Sequence, residues 1–304
     1  MFERMDEKRE RYTQYINNKY PKLKISKMQC SFKDEKHSDT VTLNNVHVFK
    51  FAKYDWSASF IDNEVNTVNL IRRYINMPLP KMQCLETGIT ISNYIEGEPL
   101  FRNVLLLLDN RAQEAIAEEI GTFMKQLHGI SIYEEGIKNI NESPVDFSAD
   151  YWMSQYEGIQ RKLYPHCDSY TKKCIYQVFK PLMDNGHFLD YKASIIHGNP
   201  VPNNFLFDKG SNRINGVINF GLSGTGDPAY DIGVLIDNLG ETFVKRVSRY
   251  YKDIDSFIDR SRFYAFTIGF CWGKSVADMI TTRDFTHFKF FSGGGDKFPI
   301  GSNW

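Results

Sequence analysis

The sequence has no net charge, few cysteines and no long apolar run. Its 37 basic and 37 acidic residues cancel, so no overall field draws it to nucleic acid or to an anionic membrane. The five cysteines are scattered and odd in number, as expected for reduced thiols rather than a disulfide framework. The longest apolar run, Val104 to Leu108, is far too short to cross a bilayer. The charged residues 1–11 lack the apolar stretch of a secretory signal. These absences predict a cytoplasmic protein with no nucleic-acid or membrane partner.

The length of the chain and its patterning predict two lobes. At 304 residues, the chain exceeds what one core usually supports. Alternating and helical periodicities predict an early part rich in strands, with a helix at 6–20, strands at 24–32 and 40–53, a helix at 61–75, and strands at 81–85 and 87–94. The later part is predicted to be mainly helical, at 113–128, 149–164, 168–185, 231–251 and 255–282. A glycine-rich tail, 293–304, is predicted to be loosely held.

Three motifs lie in the polar stretch between the later helices: His197 to Asn204, Ile218 to Gly221, and Gly226 to Asp231. They resemble the catalytic segment of aminoglycoside phosphotransferases, a branch of the protein-kinase-like superfamily, whose pattern runs H-G-D-x-x-x-x-N, I-D-F-G and G-D-P-x-x-D. The region from Tyr264 to Phe270 is most similar to the 2''-phosphotransferase subgroup. The resemblance implies an α+β, bilobal protein-kinase-like fold. A small antiparallel-sheet, nucleotide-binding N-terminal lobe is expected at 1–95, a larger helical C-terminal lobe at 96–292, and the tail beyond it.

The same resemblance implies a role for each matching residue. Position 199 would be the catalytic base, while Asn204 and position 219 would hold Mg²⁺ between the phosphates of ATP or GTP. Residues implied to contact the nucleotide are Lys50, its partner Glu64, and the hinge residues Asn93, Tyr94 and Ile95. His197, Asp227 and Asp231 would hold the catalytic loop in shape. The implied activity is transfer of phosphate to a hydroxyl of a cationic, aminoglycoside-like antibiotic, which is the chemistry of antibiotic resistance.

The sequence departs from this pattern at the residues that carry the chemistry. Asn199 and Asn219 stand where the family has aspartates. An amide cannot take up a proton near neutral pH, and a neutral amide oxygen contributes no negative charge to a magnesium site. The hairpin Phe32 to Asp39 also lacks the glycines that let backbone amides approach phosphates. There, Lys33, Lys36 or His37 could reach a phosphate instead, or the hairpin is simply a solvated charged turn.

These departures predict a catalytically impaired or inactive family member, a pseudoenzyme that keeps its cleft for a nucleotide, an antibiotic or a protein partner. The alternatives are an active ATP- or GTP-dependent antibiotic phosphotransferase, or an Asp-to-Asn variant made to trap a complex. The hairpin without glycine favours natural loss, because a trapping variant would leave the hairpin unchanged. An acidic pocket for a cationic substrate could come from acidic residues of the later helices: Asp231, Asp237, Glu241, Asp253, Asp255, Asp259 and Asp278.

Overall fold

A five-stranded antiparallel sheet, in the order β1-β2-β3-β5-β4, forms the first part of the protein. The computed structural model describes residues 4–32, 37–138, 140–272, 276–284 and 296–303. In chain order, the elements of this part are α1 (Met5–Lys19), β1 (Met28–Ser31), β2 (Ser38–Leu43), β3 (His47–Ala52), α2 (Asp55–Ile71), β4 (Met82–Glu86) and β5 (Ile89–Asn93).

The two faces of the sheet are covered by different helices. Residues of β2 are alternately half-buried and buried, as a strand with one face against a core requires. On that face, Tyr12 and Ile16 of α1 join Val41, Leu43 and Phe49 in a small core. Helix α2 instead buries Val65, Val68 and Ile71 in the main core of the molecule. Through α2, the sheet is therefore packed onto the helical lobe.

The helical lobe is built around α7 and α9. Helix α7 is buried over most of its surface, because it packs on α9, α8 and β7. The elements of this lobe are β6 (Glu98–Pro99), α3 (Arg102–Leu107), α4 (Asn110–His128), α5 (Ala149–Lys162), α6 (Ser169–Asp184), β7 (Ser194–Ile196), β8 (Phe205–Asp208), β9 (Arg213–Val217), β10 (Gly224–Gly226), α7 (Pro228–Leu239), α8 (Glu241–Val247), α9 (Ile254–Trp272) and α10 (Val276–Thr282). Segments between the helices form two short sheets, with strand orders β10-β7 and β6-β8-β9. None of the helices in the described residues is long and apolar enough to span a membrane.

The predicted α+β architecture, a small antiparallel sheet followed by a larger helical lobe, is confirmed. Two predicted elements were wrong. The strand at 40–53 is two strands, because Asn44 and Asn45 adopt left-handed φ values of 55° and 53° and turn the chain. The helix at 231–251 is two helices, because Gly240 has φ 91° and interrupts it.

The described part of the tail, 296–303, is held firmly, contrary to the expectation of a loose tail. Thr242 donates from Oγ1 to Asp296 at 2.7 Å, and the backbone N–H of Phe298 donates to Glu241 at 2.6 Å. Lys297 is only 6% exposed. Residues 293–295 and 304 lie outside the described residues, and the lobe boundaries given above remain predictions.

Candidate active site

A cleft lies between the five-stranded sheet and the helical lobe. Two adjoining cavities, of about 290 Å³ and about 180 Å³, share Thr40, Lys50, Glu64 and Asn219. The cleft brings together every residue that the sequence analysis assigned to catalysis, nucleotide or metal: Lys50, Glu64, Asn93, Tyr94, Ile95, Asn199, Asn204 and Asn219. The other three predicted residues, His197, Asp227 and Asp231, are buried.

Lys50 and Glu64 form a part-buried ion pair at the centre of the cleft. Lys50 lies on β3 and Glu64 on α2, and the lysine Nζ is 2.8 Å and 2.7 Å from the two carboxylate oxygens. The same Nζ donates to Oδ1 of Asn219 at 2.7 Å. An ammonium group has three N–H donors, and all three are used here. Lys50 is therefore saturated by protein groups.

The three asparagines of the cleft form one hydrogen-bonded chain. Nδ2 of Asn219 donates to Oδ1 of Asn204 at 2.6 Å, and Nδ2 of Asn204 donates to the backbone carbonyl of Asn199 at 2.8 Å. The direction of these hydrogen bonds is fixed by the two end groups. Lys50 Nζ at one end can only donate, and the carbonyl of Asn199 at the other end can only accept. Each amide between them must accept on one side and donate on the other. The backbone of Asn219 is left-handed, with φ 66°, which asparagine tolerates better than most residues.

These residues do not fit a magnesium ion. Magnesium sites use one or two carboxylates together with phosphate, and Glu64 is the only carboxylate among the described residues that line the two cavities. That carboxylate is neutralised by Lys50. Positions 204 and 219 contact each other directly, so an N–H of Asn219 occupies the Asn204 oxygen that a cation would need. In addition, the described residues contain no group of three or more His, Cys, Asp or Glu side chains arranged to hold a metal.

Asp231, in the first turn of α7, holds the start of the 197–204 loop. Its Oδ2 accepts the backbone N–H of His197 at 2.7 Å, and its Oδ1 accepts that of Gly198 at 2.9 Å. His128 of α4 approaches the same carboxylate, with Nε2 at 3.1 Å from Oδ2. Gly198 has φ 77°, and a Cβ there would overlap the carbonyl oxygen of Leu222. The loop is thereby held by the buried Asp231 of α7, whose carboxylate is in turn contacted by His128 of α4.

His197 connects the loop to the strand end that carries Asn219. Its Nδ1 accepts the backbone N–H of Asn199 at 3.2 Å, so the proton lies on Nε2, which donates to the carbonyl of Ile218 at 3.1 Å. Burial lowers the pKa of His197 from its ordinary value, although Asp231 acts in the opposite direction. The hydrogen bonds agree with this direction, because a second proton on Nδ1 would face the N–H of Asn199. His197 is therefore a neutral structural histidine.

Asp227 anchors the start of α7. Its carboxylate accepts the N–H of Ala229 as a helix cap and pairs with Arg260 through two hydrogen bonds, at 2.6 Å and 3.0 Å. The hydroxyl of Tyr264 also donates to Asp227, at 3.0 Å. Burial and this carboxylate together hold the pKa of Tyr264 well above its usual value. The motif at 226–231 thus fixes the start of α7, and α7 in turn holds the 197–204 loop through Asp231.

Sequence reasoning missed the partners of these two aspartates. His128 and Arg260 belong to no motif, Tyr264 carries only the subgroup resemblance noted above, and all three lie far from 227 and 231 in sequence. In the sequence, each of them is only a polar residue among the apolar residues of a helix. Such residues are common, and the pattern does not indicate which residue each one contacts. Tyr264 and Phe266 belong to the buried core of the helical lobe.

The smaller cavity is an apolar slot beside the predicted hinge. Tyr94 is fixed by a bond from its N–H to the carbonyl of Val46 at 2.8 Å, and Asn93 accepts the N–H of Lys81 at 2.6 Å. Such a slot suits a flat heteroaromatic ring. The apolar side chains that line it are Val48, Pro80, Met82, Ile95, Leu206 and Ile218.

Several acidic residues suggested for a cationic substrate are paired within the protein. The Nζ of Lys297 lies 2.5 Å from Asp237, and Arg262 lies 2.7 Å from Glu241 and 2.8 Å from Asp259. Burial raises the pKa of Glu241, although its bonds with Arg262 act against the shift. Asp231 binds the loop, as described above. These carboxylates therefore have partners of their own in this structure.

Comparisons with known proteins agree with this architecture. Residues 37–266 match the sequence profile of the phosphotransferase enzyme family. The fold is similar to that of aminoglycoside 2'-phosphotransferase-IIIa in its GDP complex, with TM-score 0.74 and 20% identity over 91% of this chain and 94% of the other. It is also similar to ADP-bound aminoglycoside phosphotransferase APH(2'')-Ib, with TM-score 0.68 and 19% identity over 92% and 99% of the two chains.

A macrolide 2'-phosphotransferase, MphH from Brachybacterium faecium, gives TM-score 0.63 at 10% identity over 91% of this chain and 94% of that one. At such identities the structural likeness demonstrates the fold alone, but the family profile covers most of the chain. The resemblance seen in the three motifs is therefore confirmed, and the chain belongs to the phosphotransferase enzyme family.

Proposed function

We propose that this protein binds a nucleotide in the cleft and transfers its phosphate to a small-molecule hydroxyl very slowly or not at all. The observation that carries the proposal is the 2.6 Å hydrogen bond from Asn219 to Asn204. It joins the two positions that would hold magnesium and satisfies them without a metal. A cleft organised in this way supports binding better than turnover.

The second support is the residue at the base position. Asn199 lines the larger cavity, where an acceptor hydroxyl would meet the phosphate, yet its amide cannot accept the hydroxyl proton. General-base help typically contributes about 10²- to 10⁴-fold to a rate. Without the positive charge of a metal ion, the rate of phosphoryl transfer should fall further, because this reaction depends mainly on positioning and charge neutralisation.

Related folds suggest which ligands to test. Similar structures hold GDP, ADP, kanamycin and gentamicin, so ATP or GTP and an aminoglycoside are the natural probes. The apolar slot beside Tyr94 and Ile95 suits the base of the nucleotide. The cationic acceptor is the less supported of the two, because Asp237 and Glu241 already have cationic partners.

A thermal-shift titration with ATP and GTP, with and without magnesium, tests the proposal. We expect stabilisation by nucleotide that does not require magnesium, together with phosphate transfer to kanamycin far below the typical enzyme turnover of about 10 s⁻¹. A shift that appears only with magnesium, accompanied by ordinary turnover, would refute the proposal.

The matched variant restores both carboxylates, Asn199→Asp with Asn219→Asp. We expect it to acquire magnesium-dependent nucleotide binding. Strong kinase activity in this variant would show that the remaining machinery is intact. Continued inactivity would locate a further loss in the hairpin at 32–39.

A further inference from the structure

The strands that line the cleft are held from their other face by α1. Side chains along β2 alternate, so that Ser38 and Thr40 line the larger cavity while Asp39 between them is 1% exposed on the opposite face. On the neighbouring strand β3, Lys50 lines the cavity and Phe51 is buried on the face toward α1. A contact on the α1 face therefore fixes strands whose cleft face would meet a nucleotide.

Tyr12 of α1 contacts both strands. Its hydroxyl donates to Oδ2 of Asp39 at 2.8 Å, and its ring stacks on that of Phe51, with centroids 4.1 Å apart and 21° between the planes. Arg11 donates to the same hydroxyl at 3.0 Å. Because a guanidinium can only donate, the hydroxyl proton must point to Asp39. Burial and the bond to Asp39 raise the pKa of Tyr12 above its usual value, so the phenol remains a donor.

The carboxylate of Asp39 binds groups from two further places in the chain. Nζ of Lys8, in α1, lies 3.3 Å from Oδ2, and Nζ of Lys53, just after β3, lies 3.3 Å from Oδ1. Asp39 therefore joins α1, β2 and the end of β3 at one point. A buried carboxylate is stable only when it is paired and hydrogen-bonded, so this cluster holds the three elements in one arrangement.

The register of the two strands connects this arrangement to the cleft. Asp39 lies directly opposite Phe51, and in the next pair along the strands Thr40 lies directly opposite Lys50. Both members of the second pair line both cavities of the cleft. Tyr12 contacts both members of the first pair. A movement of α1 against the sheet would therefore change the position of Thr40 relative to Lys50.

We infer that Tyr12 and Asp39 are positioning residues of the cleft, through which α1 sets the spacing of β2 and β3 where the phosphates of a nucleotide bind. This inference rests on the proposed function. Neither side chain lines the two cavities, and both act from the opposite face of the sheet. Their role is to hold Thr40 and Lys50 in place rather than to contact the ligand.

The effect should be confined to the phosphate end of the cleft. Asp39 lies near the start of β2, beside Ser38 of the larger cavity. The apolar slot suited to the base lies at the far end of the same strands, where the N–H of Tyr94 donates to the carbonyl of Val46 in the turn between β2 and β3. Loss of the Tyr12 hydroxyl should therefore weaken phosphate binding and leave the base slot unchanged.

Binding measurements on the full chain, without magnesium and at a temperature where circular dichroism shows each protein folded, test this role. Wild type and Tyr12→Phe would be titrated with ATP, GTP, inorganic tripolyphosphate, adenosine and guanosine. The variant keeps the ring that stacks on Phe51. Lys8 and Lys53 still bind Asp39, so it should fold. We expect Tyr12→Phe to bind the favoured nucleotide and tripolyphosphate about fivefold more weakly, with no change for the nucleoside.

The matched control is Tyr15→Phe, on the same helix. The hydroxyl of Tyr15 donates to Glu86 of β4 at 2.9 Å, and its ring packs edge-on against Phe51. Because this hydroxyl does not contact β2, the variant should bind every probe as wild type does. Weakening of tripolyphosphate binding by the same factor in both variants would overturn the inference.

The other outcomes also decide. Equal weakening of nucleotide and nucleoside in Tyr12→Phe would overturn the inference, because the whole cleft would then have loosened. Unchanged nucleotide binding in Tyr12→Phe would overturn it as well, while leaving the proposed function in place. If wild type binds neither nucleotide nor nucleoside, the proposed function itself fails, and the inference with it.

A double-mutant cycle tests whether Tyr12 acts through Asp39. In the background of Asp39→Asn, Tyr12→Phe should weaken tripolyphosphate binding much less than it does in wild type, because the charge-assisted bond between the two residues is already lost. The same factor in both backgrounds would show that the hydroxyl acts independently of Asp39, which contradicts the inference.

Discussion

The hydrogen bond from Asn219 to Asn204 directly joins the two positions between which a metal ion would be expected. An aspartate at position 219 would turn two acceptor oxygens toward Asn204 Oδ1 and Lys50, and the 2.6 Å bond to Asn204 would lose its donor. Asn204 cannot turn to compensate without giving up its bond to the carbonyl of Asn199. Asn219 therefore fixes the geometry of the cleft through its bonds with Asn204 and Lys50.

We predict that Asn219→Asp lowers the free energy of unfolding by about 1–2 kcal/mol in the absence of metal, because a buried acceptor is left facing another acceptor. Added magnesium should recover much of this loss, since a cation can bind between the two oxygens. Urea unfolding in chelator and in magnesium measures both effects.

The control for this prediction is Asn212→Asp. Asn212 also has a left-handed backbone, with φ 55°, but lies in the turn between β8 and β9. It should show no magnesium effect. A magnesium response of equal size in both variants, or in neither, would contradict the account of Asn219.

The identity of these residues was readable from the sequence, but their arrangement was not. The resemblance of the motifs to those of aminoglycoside phosphotransferases pointed to positions 199, 204 and 219 and implied that two carboxylates are missing there. The direction of the asparagine chain depends on side-chain contacts between segments 15 residues apart and on a lysine 169 residues away. No local pattern encodes such contacts.

At the scale of elements, the 197–204 loop is held by the start of α7 and by its partner α9. Asp227 is buried and bonded to Arg260 of α9, while Asp231, one turn further along α7, binds the loop itself. A shift of α7 against α9 would therefore move the backbone of His197 and Gly198. The ion pair between Asp227 and Arg260 fixes the start of α7.

We predict that Arg260→Met lowers the free energy of unfolding by about 3–5 kcal/mol, because it leaves the Asp227 carboxylate buried without its cation. Chemical denaturation at neutral pH measures the loss. The matched control is Arg249→Met, which removes an arginine that pairs with Glu114 at the surface and should cost about 1 kcal/mol or less. Similar losses in the two variants would contradict the structural role of Arg260.

Periodicity predicted most helices and strands, but breaks within them were harder to foresee. The turn at Asn44 and Asn45 carries a recognisable signal, because paired asparagines accept left-handed backbone. Gly240 was less informative, since a single glycine within a helical pattern is often tolerated. There, the break is fixed by tertiary contacts, because the carbonyl of Asp296 in the tail accepts the N–H of Glu241 at 2.6 Å.

At the scale of the whole molecule, the tail ties together elements that are distant in sequence. Asp296 contacts Arg102 of α3, and Lys297 contacts Asp237 of α7 and the carbonyl of Ala265 in α9. Helix α3 begins just after Leu100, whose N–H donates to Pro202 in the 197–204 loop. The tail thus stabilises the helical lobe beside the cleft. The sequence composition did not predict this, because a high glycine content indicates a flexible segment. The burial of a single lysine leaves no signal in the sequence.

The buried ammonium of Lys297 gives this arrangement a measurable energy. Lys297→Met keeps much of the apolar stem but removes the charge that faces Asp237 at 2.5 Å and Ala265 at 2.8 Å. We predict a loss of about 1–3 kcal/mol in the free energy of unfolding, measured by urea denaturation, because the charge-assisted bonds of Lys297 are removed. Lys138→Met, which removes an exposed lysine paired with Glu135, should cost about 0.5 kcal/mol or less.

A double-mutant cycle decides whether that loss comes from the tail contact itself. In the background of Asp237→Asn, Lys297→Met should cost less than it does in wild type, because the ion pair between Lys297 and Asp237 is already absent. If the two substitutions simply add, the ammonium of Lys297 acts independently of Asp237. In that case, the tail is held by the backbone bonds of 296–303 with Glu241 and Asp259, and the ion pair contributes nothing to the joining of α7 and the tail.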